Sequence, residues 1–502
     1  MEQFDLFVIG GGINGAGIAR DAAGRGLSVA IAEMGDFASA TSQWSSKLIH
    51  GGLRYLEYYE FRLVAESLRE RERLLQLAPH LIQPLAVLVP HEPHLRPAWM
   101  IRAGLYLYDF LGGKKSVPRS TSVSLEGTPY GAGLQTRLKQ GFLYWDARVD
   151  DARLVIANVK SAAALGAQIY ATTRVAHVVR TAQGWRVELK NVLTGETSAV
   201  YARGLVNATG PWVKETQDLI ALDPQSPVKK AGVRHVKGSH IIVPRIHAGE
   251  HALLLQNADK RIIFVIPYQH DFTLIGTTDV TVAEYEKPQI TPDEVSYLCG
   301  IASQYLAKRV TAADVISTYS GVRPLYDDGK VNASAVTRDY VLRLDDGRTT
   351  QHPNFPLLSV FGGKLTTYRE LALHALQRLE KFYPQMKPEW THSAALPGGN
   401  LGTANLAEFV ATLKGEYGYL TTIHLERIAA RHGSETRAVL GNAKSREELG
   451  VYHGGGLYER EVRWLVEREW ARTAEDVLWR RTKAGLFMSS ARIQAFTEQF
   501  KP

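Results

Sequence analysis

Residues 5–33 read DLFVIGGGINGAGIARDAAGRGLSVAIAE. Asp5 to Ile9 predicts a buried strand and Ser28 to Ala32 a second one. Ile13 to Arg25 between them predicts a helix, kept slim by Ala16, Gly17, Ala19, Ala22 and Ala23. The loop from strand to helix fits G-x-G-x-x-G, with glycines at 10, 12 and 15. Gly10 allows the tight turn, Gly12 lets a pyrophosphate approach the backbone, and Gly15 lets helix and strand pack closely. Ile13 and Asn14 open the helix, where free N–H groups face an anion. Gly26 can end the helix in the left-handed conformation. Glu33 closes the second strand and can accept hydrogen bonds from a ribose hydroxyl. A glycine-rich turn alone is weak evidence. Strand, loop, helix, strand and acid in this order define a site for the ADP half of a dinucleotide.

Outward from this unit, three further segments bear on which dinucleotide. Ala40 to Tyr55 reads ATSQWSSKLIHGGLRY. Its small hydroxyl residues and Gly51-Gly52 doublet let the backbone run along a flat ring system, where bulky side chains would clash. Thr41, Ser42, Ser46, Lys47, Leu48, His50, Gly51 and Gly52 are its candidate cofactor contacts. Leu205 to Gly210, LVNATG, ends a strand before Pro211-Trp212, with proline well placed to start a helix. It contributes Ala208, Thr209, Gly210 and Trp212. Ser359 to Thr367, SVFGGKLTT, contributes Gly363, Lys364, Leu365 and Thr366, and Val175 joins the set. No second complete G-x-G-x-x-G is present, so a separate NAD domain has no seat. The expected cofactor is non-covalent FAD, itself the hydride acceptor.

The chain has 502 residues, 45% of them hydrophobic, enough for two or three domains. A single cysteine, Cys299, excludes an internal disulfide framework and a cysteine-rich metal site, and it fits a reducing compartment. No metal is expected. The start, MEQFDLFVIGGG, enters a strand directly and has no signal-peptide pattern. No stretch approaches the ~20 apolar residues that span a bilayer. A net charge of +8 favours an anionic partner, whether phosphate, lipid or nucleic acid.

Because the flavin segments are scattered, the expected fold is α/β with a discontinuous Rossmann-like FAD domain of the glutathione-reductase/amino-acid-oxidase type, residues 1–79, 141–219 and 336–390. Residues 80–140 and 220–335 hold alternating apolar runs (HIIVPR, RIIFVIPY, FTLIGTTD) and predict an antiparallel-sheet substrate cap. After Trp390 the spacing of LAEFVATL, LERIAARHG and YEREVRWLVEREWAR turns helical, so 391–502 predicts a helical C-terminal domain. Leu396-Pro397-Gly398-Gly399 is the expected linker, and Thr473 with Asp476 a capping-box start.

With these segments identified, the chain resembles the aerobic, FAD-dependent glycerol-3-phosphate dehydrogenases of bacteria from Asp5 to about Leu486. The matching runs include VIGGGINGAGIARDAAGRGLSV, SSKLIHGGLRYLE, GLVNATGPWVK, KGSHIIVPR, YSGVRPL, SVFGGKLTTYRELA and DVLWRRTKAGL, in that order. The resemblance implies oxidation of sn-glycerol 3-phosphate to dihydroxyacetone phosphate with electrons passed to a quinone. It also implies a homodimer, peripheral on the cytoplasmic face of the inner membrane with part of it cytoplasmic.

Such a substrate is a dianion with a secondary alcohol. Arg54, Arg338 and Lys364 are the candidates for its phosphate, because a guanidinium fork binds two oxygens, and Tyr55 adds a neutral hydrogen bond. The family places equivalents of these residues at the phosphate. Arg323, in YSGVRPL, suits the reacting hydroxyl, where a fixed guanidinium stabilises developing alkoxide charge. His240, in KGSH, and His50 compete as proton acceptor. Thr277 and Thr278 offer hydroxyls to substrate or flavin. Pro97 to Leu111, PAWMIRAGLYLYDFL, followed by Lys114, Lys115 and Arg119, reads either as an interfacial helix or as an ordinary buried one. In the interfacial reading Trp99, Tyr106 and Tyr108 sit at headgroup depth on an anionic membrane surface. The competing readings are a soluble glycerol-3-phosphate oxidase reducing oxygen, an amine or amino-acid oxidase on the same scaffold, and a flavin-containing lipid or nucleic-acid binder. No interleaved basic and aromatic stripe of the nucleic-acid kind is present, so no nucleic acid is expected.

Overall fold

The computed structural model describes residues 2–92, 96–113, 116–221, 232–257, 259, 261–327, 339–346 and 355–502. The fingerprint folds as expected: strand Gln3–Ile9, helix Ile13–Gly24 and strand Val29–Ala32. Gly26 ends the helix turn at φ +86°. The strand is buried on both faces, as a central parallel strand requires. Leu6 and Val8 join the core under the helices, while Phe7 and Ile9 join a second core on the opposite side.

This strand is central to the first sheet. Gln168–Tyr170, Val29–Ala32, Gln3–Ile9, Thr197–Asn207 and Leu357–Phe361 run parallel in that spatial order, and Val341–Asp345 closes the edge antiparallel. The distant flavin segments thereby become neighbours. Asn207 pairs with both Ile9 and Ser359, so the NATG and FGGK turns leave the sheet beside the glycine loop. Helices Ile13–Gly24, Asp151–Ala164 and Tyr368–Leu379 cover one face. Strands Thr173–Thr181 and Gly184–Asn191 fold over the other around the buried Trp185.

A second sheet carries the substrate side. Ser317–Tyr326, Val233–Pro244, Phe272–Gly276, Ile262–Tyr268, Ala252–Gln256, Ile82–Pro90 and Gln140–Val149 lie in that order. The sheet is antiparallel except for the parallel pair Ala252–Gln256 with Ile82–Pro90. Helix Pro292–Tyr305 packs on one face. The other face holds Leu254, Phe264 and Ile242 over the first sheet's loops. The boundary expected between 140 and 141 is corrected: Gln140–Val149 pairs with Ile82–Pro90 over its whole length and belongs to this sheet, not the first.

The C-terminal region is helical apart from a short hairpin, Tyr452–Gly454 with Leu457–Tyr458. Thr473 and Asp476 form the expected reciprocal cap at 3.2 and 2.8 Å, opening a π-helical turn, Asp476–Arg481. The expected linker is pinned rather than free: Leu396 N donates to Leu77 O at 2.9 Å and Ser434 N to Gly398 O at 3.0 Å. Buried ion pairs join this region to the first sheet, among them Arg153–Glu469 and Arg481–Asp36. Removing one partner of such a pair costs about 3–5 kcal/mol, because the other charge is stranded.

Candidate functional site

The two sheets enclose a cavity of about 960 Å³. Its ADP end is built from the fingerprint. Gly10, Gly12, Ile13, Asn14 and Glu33 line it, as do Ala208, Thr209, Gly210 and Trp212, and Val175 on the opposite wall. Gly15 stands behind the loop: a Cβ there would sit 1.9 Å from Gly10 O, so only glycine lets the helix approach this turn. A Cβ at Gly12 would meet only Ser42 Oγ, at 3.3 Å, so the loop backbone stays open towards the cavity. Ser42 Oγ accepts from Ile13 N at 3.0 Å. Glu33 accepts from Gly11 N at 2.7 Å and Gly35 N at 2.8 Å. Burial raises the Glu33 carboxyl above its ordinary range, against the pull of those two N–H groups.

The segment 41–55 runs along the cavity as expected for Thr41, Ser46, Leu48, His50 and Gly52. Two of its residues are placed otherwise. The Lys47 ammonium turns away and is spent on Asp151 at 2.9 Å and Gln43 O at 2.8 Å, so it is a structural anchor and not a side-chain contact of the cavity. Gly51 is walled off by Leu68 and Tyr108. Its N–H donates to Tyr108 Oη at 2.8 Å, and that hydroxyl donates to Asp146 at 2.7 Å. Tyr108 is therefore a buried prop of this loop, which corrects its expected place at a membrane surface. From the third segment, Gly363, Lys364, Leu365 and Thr366 line the same wall.

At the far end Arg323 projects from strand Ser317–Tyr326 beside Thr277 and Asp279. Its guanidinium lies 3.5 Å from Thr277 Oγ1 and 3.4 Å from Asp279 Oδ1. Gly238 clears the space for this group: a Cβ there would lie 2.7 Å from Arg323 Nη2 and 2.6 Å from Thr277 Oγ1. Sequence reading quoted KGSH for its histidine and missed this glycine. The usable signal was a glycine inside an apolar strand, which marks close approach of another group. Thr278 Oγ1 is buried, donating to Glu294 at 2.7 Å and accepting from Ser239 N at 2.9 Å, so it fixes the turn. Burial works against charge on Glu294. Hydrogen bonds from Lys237, Thr278, the Thr291 backbone and Ser239 prevail and bring its carboxyl down to about 2.

Both candidate proton acceptors line the cavity. His240 is buried, its Nε2 3.0 Å from Ser46 Oγ and its ring stacked on Tyr319 at 4.7 Å. Its Nδ1 has no hydrogen-bond partner among the described residues. Burial lowers this imidazole well below its ordinary range, with Lys47 and Arg323 adding to the effect. His50 is half-buried, edge-on to Phe264. Burial lowers it too; Asp146 opposes this, while Lys364 and Arg323 reinforce it. Both rings are thus neutral near pH 7. Arg54, Tyr55 and Lys364 complete the wall, with the Lys364 ammonium 3.9 Å above the Tyr55 ring. Arg338 lies outside the described residues.

The residues present fit a flavin dinucleotide. The glycine cradle is open at Gly12, Asn14 Oδ1 and His240 Nδ1 are buried polar atoms without partners among the described residues, and the cavity runs unbroken from Glu33 to Arg323. Gly10 to Ile13 would hold the pyrophosphate, Glu33 a ribose, and segments 41–52 and 363–366 the ring system. A parallel sheet with this cradle, roofed by a second sheet that carries Arg323 and His240, defines a flavin-binding oxidoreductase.

Comparison with known proteins agrees. The family described as FAD dependent oxidoreductase matches residues 5–369, and the chain belongs to it. A second family, the C-terminal domain of alpha-glycerophosphate oxidase, matches residues 390–499. Among curated relatives, a D-erythritol 1-phosphate dehydrogenase of Brucella abortus is 49% identical over 99% of this chain and 98% of its own length. The aerobic glycerol-3-phosphate dehydrogenase of Escherichia coli is 48% identical over 98% and 96%. Among solved structures, a glycerol-3-phosphate dehydrogenase from Bacillus halodurans complexed with FAD superposes with a TM-score of 0.75 at 28% identity, covering 99% of this chain and 89% of that one.

Proposed function

We propose that this protein oxidises sn-glycerol 3-phosphate to dihydroxyacetone phosphate and passes the electrons to a membrane quinone. The observation that carries the reading is the convergence, in one cavity, of Arg54, Lys364 and Arg323 around Tyr55 and a neutral His50. A phosphate dianion needs such cations, whereas an amino-acid substrate would leave most of them surplus.

In the proposed reaction Arg54 and Lys364 hold the phosphate, and Tyr55, its ring beneath the Lys364 ammonium, adds its hydroxyl. Arg323 meets the reacting hydroxyl and stabilises the alkoxide character that develops there, with Thr277 fixing its direction. A ring nitrogen of His50 takes the hydroxyl proton. His240, whose Nε2 meets Ser46 and whose Nδ1 has no partner among the described residues, is the alternative acceptor lining the same cavity. The bound FAD supplies the acceptor for the hydride leaving the carbinol carbon. The sheet face of Leu254, Ile262 and Phe264 excludes water from the reacting centre.

Membrane contact is supported by helix Ala98–Leu111. Trp99, Tyr106 and Phe110 are 70%, 67% and 75% exposed and recur on one face at helical spacing, with Tyr59 and Phe61 also exposed. Such a face suits the plane of a bilayer interface. Among the described residues no helix is long and apolar enough to cross a membrane. Lys114 and Lys115 lie outside the described residues.

A four-carbon substrate, D-erythritol 1-phosphate, is the second reading, favoured by the Brucella relative at 49% identity. Steady-state assays of both phosphates, each with a quinone analogue and with oxygen, separate the possibilities. Higher kcat/KM for glycerol 3-phosphate with the quinone is expected. A preference for the erythritol ester, or for oxygen, replaces this reading with the corresponding alternative.

A further inference from the structure

The segment DVLWRRTKAGL takes no part in the chemistry above, yet its basic residues are buried and reach back to the cofactor loops. Arg481 is fully buried. Its two terminal nitrogens reach Asp36 Oδ2 at 2.6 Å and Oδ1 at 2.7 Å. Arg480 Nε donates to the same Asp36 Oδ2 at 2.5 Å. Both arginines are tied to the C-terminal domain, Arg481 through Glu469 O at 2.7 Å and Arg480 through Glu475 at 2.8 Å.

Asp36 stands three residues beyond Glu33, at the end of the turn that presents Glu33 to the cavity. From inside, the turn is held by Gly11 N and Gly35 N on the Glu33 carboxylate, and by Ala38 N on Gly11 O at 3.2 Å. From outside, Thr173 N on Glu33 O at 2.7 Å and Thr172 N on Gly35 O at 3.2 Å hold its backbone, while the C-terminal domain holds its side chains: the arginines on Asp36, and Trp470 edge-on to Phe37 at 5.8 Å. Phe37 in turn fills the space beside Gly11, where a Cβ would lie 2.5 Å from its ring. A bidentate guanidinium fixes direction as well as distance. One carboxylate bound by two guanidiniums is thus a geometric device rather than a simple neutralisation.

A second anchor follows the same logic. Lys483 donates to Asp150 Oδ1 at 2.5 Å, and Asp150 caps helix Asp151–Ala164 by accepting from Arg153 N at 3.2 Å. Asp151 then holds Lys47 and Ser45 of the flavin segment at 2.9 and 2.7 Å.

We propose that the C-terminal domain is a cofactor clamp, with Arg481 a positioning residue that acts through Asp36 on the Glu33 turn and so retains the ADP half of FAD. The inference uses FAD binding alone and does not depend on the proposed substrate. The test takes full-length Arg481→Lys, Arg481→Gln and Asp36→Asn proteins. Flavin fluorescence on dilution gives the FAD dissociation constant, and thermal midpoints are read with and without FAD. Arg481→Gln and Asp36→Asn should each weaken FAD binding at least about tenfold, with Arg481→Lys in between, and should narrow the gap between the two midpoints. Midpoints that fall together while the dissociation constant stays within about twofold would make the arginine a purely structural residue and overturn the proposal. If Arg481→Gln fails to fold, Asp36→Asn decides by the same two readouts.

Discussion

The two ends of the cavity are built by different rules. The ADP end takes its cradle from one run, residues 5–33, whose strand, loop, helix and acid are adjacent in sequence and in space, with the NATG turn and Val175 completing the wall. The proposed reaction end draws Arg54, Thr277, Arg323 and Lys364 from four separate segments, brought together by two sheets. A local unit tolerates no change in its turn, while an assembled one depends on the gaps between its members. Damage at the first end should cost the cofactor, and damage at the second should cost turnover with the cofactor still bound.

Gly15→Val presses hardest on that contrast. Its side chain would collide with Gly10 O, where even a Cβ comes to 1.9 Å. The purified protein should carry less than about a tenth of the wild-type FAD, read from its visible absorbance. Arg323→Met should leave FAD content unchanged and lower kcat by about 10²–10³, the loss of about 2.7–4 kcal/mol typical of a removed oxyanion donor. Loss of FAD from this variant would break the separation of the two ends. Gly238→Ala is milder: displacing Arg323 and Thr277 by its methyl group should cost about tenfold to a hundredfold in kcat, again in a fully flavinated protein.

The smallest effect is in pH. Burial holds His50 and His240 below their ordinary pKa in the folded protein. The unfolded chain therefore binds protons that the fold refuses. Stability is fully present above about pH 6.5 and falls as pH drops through the folded values. The melting temperature should be flat from pH 7 to 8 and decline on acidification, with a shallower decline in His240→Gln. An unchanged slope in that variant would place the titration elsewhere.

The same contrast decides what was legible in the sequence. The fingerprint, the NATG and FGGK turns and the capping Thr473 were readable because each depends on neighbours a few residues away. Lys47 was misread because its partner, Asp151, lies in another helix and nothing in the spacing links them. Tyr108 shares an apolar, aromatic helix with Trp99 and Phe110, and its partners across the fold, Asp146 and the Gly51 N–H, turn it inward. Strand Gln140–Val149 follows from pairing with Ile82–Pro90, a long-range choice that local composition does not encode. Gly238 matters solely through the groups that approach it, so its role appeared only once Arg323 and Thr277 were in place.

Anaerobic mixing of the FAD-loaded protein with sn-glycerol 3-phosphate is the most direct test of the proposed site. The flavin absorbance should bleach in a single turnover, at least about a hundredfold faster in wild type than in Arg323→Met, with unphosphorylated glycerol inert at the same concentration. A flavin that stays oxidised with the phosphate ester, or that bleaches equally with glycerol, contradicts a site built around Arg54, Lys364 and Arg323 for a phosphorylated alcohol.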